Sequence, residues 1–200
     1  MEHIQDVLHH HLHHPRLLHK VEGKMISLEY QFKFDIIRDR YYADYRYRFF
    51  YNSTKACTFF GLILMGLGGY IVDCKTISII LEILGSVLLI TNTVFNFQMD
   101  AVFWKNISER YSSLLQEYKK GENTWPDEKI REFNAELEKI SSKDKNYKRV
   151  LSEKAHNATN HELGCDRKYD FDINWFKYIT ANIFAWDSGS LRYVDKEQCK

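Results

Sequence analysis

The sequence predicts an all-α membrane protein in which a two-helix transmembrane hairpin extends into a cytoplasmic helical domain. Two observations lead to this prediction. The apolar residues are concentrated in two segments with a very short link between them, and helical periodicity continues on both sides of these segments. Averaged over 200 residues, the composition is ordinary, 44% hydrophobic and 28% charged, so the prediction depends on where the apolar residues lie.

The two apolar segments are each long enough to cross a membrane, because about 20 mainly apolar residues span a hydrocarbon core roughly 30 Å thick. Residues 54–72 and 77–97 each contain a single charged residue. The link between them allows only a tight turn, so we expect two antiparallel spans. Gly61 and Gly68 lie on one small-residue face of the first span, which is typical of close helix packing in membranes.

Basic residues flanking the hairpin predict its orientation. They cluster before the first span and after the second, whereas the turn contains only Lys75. Because Lys and Arg concentrate on the cytoplasmic side, we expect a multi-pass protein with both termini in the cytoplasm. The basic residues could also contact anionic membrane lipids. The net charge of +1 gives no reason to expect direct nucleic-acid binding.

The chain divides into three parts around this hairpin. Residues 1–26 form a His-rich segment with seven of the nine histidines, but no carboxylate or cysteine completes a metal site there. Residues 27–120 comprise the hairpin and its helical extensions. Here we expect the first helix to run into the first span and the second span to continue as one helix from Ile77 to about Lys120. Residues 121–200 are expected to form a cytoplasmic helical region, with one helix from about 147 to 163 that ends at a glycine.

A line of polar residues runs along the second span. At about 100° per residue, one helical face carries the candidate pore-lining residues Glu82, Ser86, Leu89, Thr93, Asn96 and Asp100. An ionisable group in hydrocarbon is costly unless it meets water or a partner, so this line suits a helix bordering a water-filled pore, with Leu89 as a candidate gate. One hairpin cannot enclose a pore, and this interpretation therefore requires a homo-oligomeric ring. In the alternative interpretation, Glu82 reaches the outer interface and the other polar groups bond to the first span.

Arg149 and His156 form the candidate catalytic pair, with six residues between them in a predicted helix. The pair resembles the active-site motif of HEPN ribonucleases, in which Arg and His hold the phosphate and handle the proton of the attacking 2′-hydroxyl. Ordinary surface and interface roles are the alternative. The chain has no phosphate-binding glycine loop, nucleophile elbow or zinc-ligand spacing, so neither a cofactor nor a metal is expected.

The order of segments resembles the SLATT superfamily of two-span effectors in bacterial anti-phage systems. An aromatic and basic helix, RYYADYRYRFFYN, enters a glycine-rich span, a short turn follows, and the second span continues into FWKNISERYSSLLQEYKK. Because of its length of 200 residues and its Arg149 and His156 pair, the chain is also similar to the small membrane proteins that accompany type VI-B CRISPR RNA-targeting nucleases.

Both resemblances imply an effector in the bacterial inner membrane that permeabilises or depolarises it. They also imply the partner that switches it on, either a CRISPR RNA-guided nuclease system or a nucleotide-signalling sensor. Two other functions are kept as alternatives: a membrane-tethered HEPN-like ribonuclease, and a passive membrane anchor or regulator.

Overall fold

The computed structural model describes residues 27–71, 74–144, 147–165 and 170–183. These residues contain no β-strand and form six helices: α1 (Leu28–Tyr70), α2 (Lys75–Val94), α3 (Phe97–Lys119), α4 (Asp127–Ser141), α5 (Arg149–Glu162) and α6 (Trp175–Thr180). The predicted all-α class is confirmed for this part of the chain. The predicted His-rich segment 1–26 lies outside the described residues, as does 184–200.

Helix α1 is one continuous element of 43 residues, which is about 65 Å at a rise of 1.5 Å per residue. It begins at the cap Ser27, whose Oγ accepts a hydrogen bond from the Tyr30 amide at 3.1 Å. As predicted, the aromatic helix runs without a break into the first apolar segment. Up to Phe50, α1 buries a stripe of apolar and aromatic residues, whereas beyond Phe50 it buries only Gly61 and Gly68. The same helix therefore belongs to two different packing environments.

The N-terminal half of α1 packs with α3, α4 and α5 into a helical domain. The fully buried ring of Phe32 lies edge-on to Tyr118 of α3, with ring centroids 5.1 Å apart, and stacks on Phe133 of α4 at 5.6 Å. Helix α5 completes this core with Leu151 and Ala155, which have no exposed surface. Such aromatic pairs contribute about 0.5–1.5 kcal/mol beyond the burial of their area.

The prediction of one helix from Ile77 to Lys120 is wrong. Helix α2 ends at Val94 and α3 begins at Phe97, and Asn96 between them adopts a left-handed conformation with φ 54°. Asn is one of the few residues other than Gly that adopt this conformation readily. A single left-handed residue leaves the apolar and polar pattern almost unchanged, which is why periodicity did not reveal the break. Residues after Asn96 do not continue the helical faces of α2.

The C-terminal part of α1 and helix α2 form a helical hairpin. Among the described helices, α2 alone is long and apolar enough to cross a membrane by length and composition, with a mean hydropathy of 2.0. The other expected span, 54–72, lies mostly within α1, where Lys55 and four glycines lower the hydropathy. Of all α2 residues only Gly85 is buried, so its apolar side chains do not fill a core of this chain.

Candidate functional site at the helical hairpin

Helices α1 and α2 approach each other most closely at three glycines. A Cβ atom added to Gly85 of α2 would lie 2.7 Å from the Gly61 carbonyl oxygen and 2.9 Å from the Met65 amide nitrogen. One added to Gly68 would lie 2.9 Å from the Ser78 carbonyl oxygen. The structure thus places both glycines that the sequence predicts for packing in the helix contact. Their counterpart Gly85 was missed.

Two polar side chains bridge the hairpin near its two ends. The Ser78 hydroxyl donates to the Gly68 carbonyl oxygen at 2.6 Å, and the Asn92 amide donates to the Thr58 hydroxyl at 3.3 Å. Neither Ser78 nor Asn92 belongs to the predicted polar line. The signal that would have revealed them is their spacing, because Ser78, Gly85 and Asn92 recur every seven residues and therefore share one helical face.

Two of the predicted pore-lining residues, Leu89 and Glu82, contact α1 directly. Leu89 is half-buried, and its Cγ would lie 2.8 Å from a Cβ added to Gly61. Glu82 contacts α1 with its aliphatic part only. Its Cγ would lie 2.7 Å from a Cβ added to Gly68, while the residue as a whole is exposed. Leu89 therefore acts as a packing residue, and Glu82 stands at the edge of the helix contact.

The other four predicted pore-lining residues do not form one continuous line. Ser86 is half-buried and Thr93 is exposed, with the Thr93 hydroxyl donating to the Leu89 carbonyl oxygen of its own helix at 3.1 Å. Asn96 is the exposed residue at the helix break, and Asp100 lies half-buried in α3. The polar edge of α2 therefore consists of the exposed Glu82 and Thr93 with the half-buried Ser86 between them.

Glu82 is the only charged residue of α2 after Lys75 at its start, and no ion-pair partner for its carboxylate occurs among the described residues. The side chains around it on α2 are large, apolar and about half exposed, among them Ile79 and Ile83. An ionised carboxylate in such a setting is stable in water but costly in hydrocarbon. The helix therefore needs water or a polar partner along this edge if lipid surrounds the rest of it.

The structure places the two residues of the candidate catalytic pair in different surroundings. Arg149 at the start of α5 is 47% exposed at its side chain and lies 3.6 Å from a carboxylate oxygen of Glu153. His156 is only 3% exposed, and its ring is enclosed by Phe34 and Phe171, with centroids 4.9 Å and 4.7 Å away. An imidazole enclosed in this way cannot contact the ribose of an RNA strand. In this structure the His156 ring is packed within the core.

Polar residues next to His156 hold the chain segment that follows α5. The Asn157 side chain pairs with the backbone of Phe171 through two hydrogen bonds, donating to its carbonyl oxygen at 2.8 Å and accepting from its amide at 2.7 Å. The Asn160 amide donates to the Asp170 carboxylate at 2.9 Å. The region that resembles a ribonuclease motif thus attaches residues 170–183 to α5.

Arg46 of α1 is a buried cation just beyond the hairpin. It is 6% exposed, and its guanidinium lies over the rings of Phe50 and Trp104, 4.8 Å and 5.2 Å from their centroids. Its Nη1 donates to the Asn182 carbonyl oxygen at 3.0 Å. Stacking on aromatic faces offsets part of the cost of burying the charge. Arg46 is one of the basic residues before the first span from which the orientation was predicted, and the structure places it within the core.

Buried tyrosines connect the helical domain to its loops. The Tyr42 hydroxyl donates to the Asp144 carboxylate at 2.8 Å and accepts from the Lys148 amide at 2.9 Å. Burial raises the pKa of Tyr42 well above its ordinary value, so its hydroxyl stays protonated. The Tyr118 hydroxyl donates to Glu29 at 2.9 Å. These phenols act as neutral hydrogen-bond donors within the helical domain.

Within the described ranges, no group of three or more His, Cys, Asp or Glu side chains could hold a metal ion. Comparison of the chain with known protein families, curated proteins and solved structures found no match. The class of protein therefore follows from the fold alone. It is a helical protein with one candidate membrane span in an uncovered apolar hairpin.

Proposed function

We propose that this chain is a membrane effector of antiviral defence that assembles as a homo-oligomeric ring and forms a pore in the bacterial inner membrane. The observation that carries the proposal is the exposed carboxylate of Glu82 on α2, a helix that is mainly apolar and mostly exposed. Lipid tails accommodate the apolar side chains but not an ionised carboxylate without a partner. A water-filled conduit between copies of the chain gives the carboxylate water, while lipid tails contact the apolar side chains.

The open polar edge of α2 supports an assembly of several copies. Glu82, Ser86 and Thr93 cover 11 residue steps, which is about 16 Å of helix and about half of a 30 Å hydrocarbon core. One hairpin presents this edge on a single side and cannot surround water. Copies related by a cyclic axis bring the edges together and place a ring of Glu82 carboxylates near one mouth.

In this proposal the C-terminal part of α1 also crosses the membrane, as the first span, and both termini face the cytoplasm. The Lys and Arg residues that flank the hairpin support this orientation. The domain built from α1, α3, α4 and α5 then lies on the cytoplasmic side of each hairpin. The resemblance to two-span effectors and CRISPR-associated membrane proteins supports a pore that enhances RNA-guided or nucleotide-signalled immunity.

The test is ion leakage from vesicles containing the purified chain and its Glu82→Gln variant. Glutamine keeps the size of the side chain and removes its charge, so the preference for cations over anions should fall severalfold. Glu128→Gln makes the same change at an exposed position in the first turn of α4 and should leave the preference unchanged. Unaltered leakage and ion preference in Glu82→Gln would argue against a pore bordered by α2.

A mass measurement in mild detergent tests the assembly directly. A ring of several copies is expected. A monomer or dimer would contradict the pore and would favour the passive anchor or regulator.

A further inference from the structure

Helix α6 and the residues after it, here called the α6 segment (175–183), leave their apolar surface uncovered. Trp175 is 71% exposed and Ile179 is 64% exposed, and no residue of α6 itself is buried. The exposed large side chains of the segment are Trp175, Phe176, Tyr178, Ile179 and Ile183. So many large apolar groups on nine consecutive residues form a patch typical of an interaction site.

The α6 segment is attached to the rest of the molecule at defined points. The Asn182 carbonyl oxygen accepts from Arg46 at 3.0 Å, and Ala181 beside it is fully buried. The Lys154 ammonium of α5 lies 3.7 Å from the centroid of the Tyr178 ring. These contacts place the segment against α1 and α5.

That position is close to the end of the apolar hairpin. Helix α2 has 20 residues, about 30 Å of helix, and the hairpin ends where Phe97 contacts Phe50, with ring centroids 6.1 Å apart. Arg46 is four residues before Phe50 in α1, about 6 Å farther along the axis. A headgroup layer is about 5–8 Å thick on each side of the hydrocarbon core. Asn182, bonded to Arg46, therefore lies at headgroup depth when the hairpin spans a bilayer.

We propose that the α6 segment binds the headgroup layer of an anionic bilayer beside the hairpin. Trp, Tyr and Phe prefer this layer because their rings are amphipathic. Lys177 in the last turn of α6 and Lys154 next to Tyr178 supply positive charge that attracts anionic headgroups. This inference rests on the proposed insertion of the hairpin and adds a third, peripheral contact with the membrane.

Quenching of tryptophan fluorescence by lipids brominated near the headgroup tests the contact. The full chain is reconstituted with a Trp186→Phe background, and Trp175→Phe is compared with Trp125→Phe. Trp125 lies at the C-terminal end of α3, whereas Phe97 at the other end contacts the hairpin, and its indole donates to the Tyr118 carbonyl oxygen. Trp175→Phe should reduce the lipid-dependent quenching at least twofold, while Trp125→Phe should not reduce it.

Vesicles of neutral phosphatidylcholine and vesicles with added phosphatidylglycerol separate the contribution of the aromatic rings from that of the positive charges. Quenching that depends on Trp175 should be stronger with the anionic lipid, and equal quenching would contradict a preference for anionic headgroups. If Trp175→Phe leaves the quenching unchanged, and Trp175 of the chain that keeps it is also shielded from aqueous iodide, a second copy covers the segment. That result would overturn the proposal.

The two proposals fail in distinguishable ways. If the chain does not float with vesicles at all, hairpin insertion and the α6 contact are both refuted. If it floats and conducts ions but Trp175 is not quenched, only the α6 contact is refuted.

Discussion

Replacing Gly85 by alanine should force the two helices of the hairpin apart. The added Cβ would lie 2.7 Å from the Gly61 carbonyl oxygen and 2.9 Å from the Met65 amide nitrogen, whereas ordinary contacts lie at 3.4–4 Å. Both neighbours are backbone atoms, which cannot rotate away. The helices must therefore separate locally by about 0.7 Å, and a gap of this size removes a quarter to a half of the dispersion energy of the contacts that it opens.

The expected loss of stability follows from overpacking, which costs about 1–3 kcal/mol. The better helix propensity of alanine does not offset this cost, because both helices stay helical after they separate. A loss of about 1–3 kcal/mol in the free energy of hairpin association is expected. Gly66→Ala is the matched control because a Cβ there meets nothing within 4 Å. That variant should be neutral or more stable.

Helix separation must be measured rather than loss of helicity, because both helices remain helical in detergent after they part. Dyes at Lys55→Cys in α1 and Val94→Cys in α2, in a background without other cysteines, report by energy transfer the distance between the two helices at the open end of the hairpin. Titration with SDS should separate the helices of Gly85→Ala at a lower SDS fraction than those of Gly66→Ala. Identical midpoints would refute the close approach of α1 and α2.

Three further predictions concern the helical domain. Asn157→Ala removes both Asn157 hydrogen bonds to the Phe171 backbone, so it should cost about 1–3 kcal/mol and speed hydrogen exchange at Phe171; unchanged exchange would contradict the pairing. Burial raises the pKa of Tyr45 to about 12, so its stabilising contribution is complete below pH 10, the ordinary pKa in the unfolded chain, and is lost as the pH rises through 12. Tyr45→Phe should therefore lose less stability over that range in alkaline unfolding curves, and an identical loss would contradict this. Arg149→Ala should leave stability and vesicle leakage unchanged, whereas His156→Ala should lower the free energy of unfolding by about 2–4 kcal/mol; RNA cleavage by the parent chain that is lost in both variants would instead support the catalytic interpretation.

Much of the fold could be predicted because its signals lie within contiguous residues. The all-α class follows from helical periodicity, and the continuity of α1 is consistent with the absence of proline between Leu28 and Tyr70. Gly164, predicted to end α5, follows it with a φ of +69°. The break at Asn96 could not be predicted in this way, because one left-handed residue alters the direction and phase of the chain without altering its composition.

The candidate site was less predictable because it depends on which face of each helix meets another. Angular position along α2 placed Glu82 and Leu89 on one face, but only the approach of α1 separates them, since Leu89 packs on Gly61 and Glu82 remains at the open edge. The spacing of Arg149 and His156 allowed a shared face, but the rings around His156 come from other segments of the chain.

The sequence by itself determined that this protein is helical and that its apolar residues gather in a hairpin with closely packing glycines, because hydropathy and periodicity are properties of neighbouring residues. The tertiary structure alone decided which polar groups of α2 stay open, that α5 holds a structural histidine, and that the α6 segment lies beside the end of the hairpin. These features depend on contacts between residues far apart in the chain, such as Arg46 with Asn182, and no local pattern specifies them.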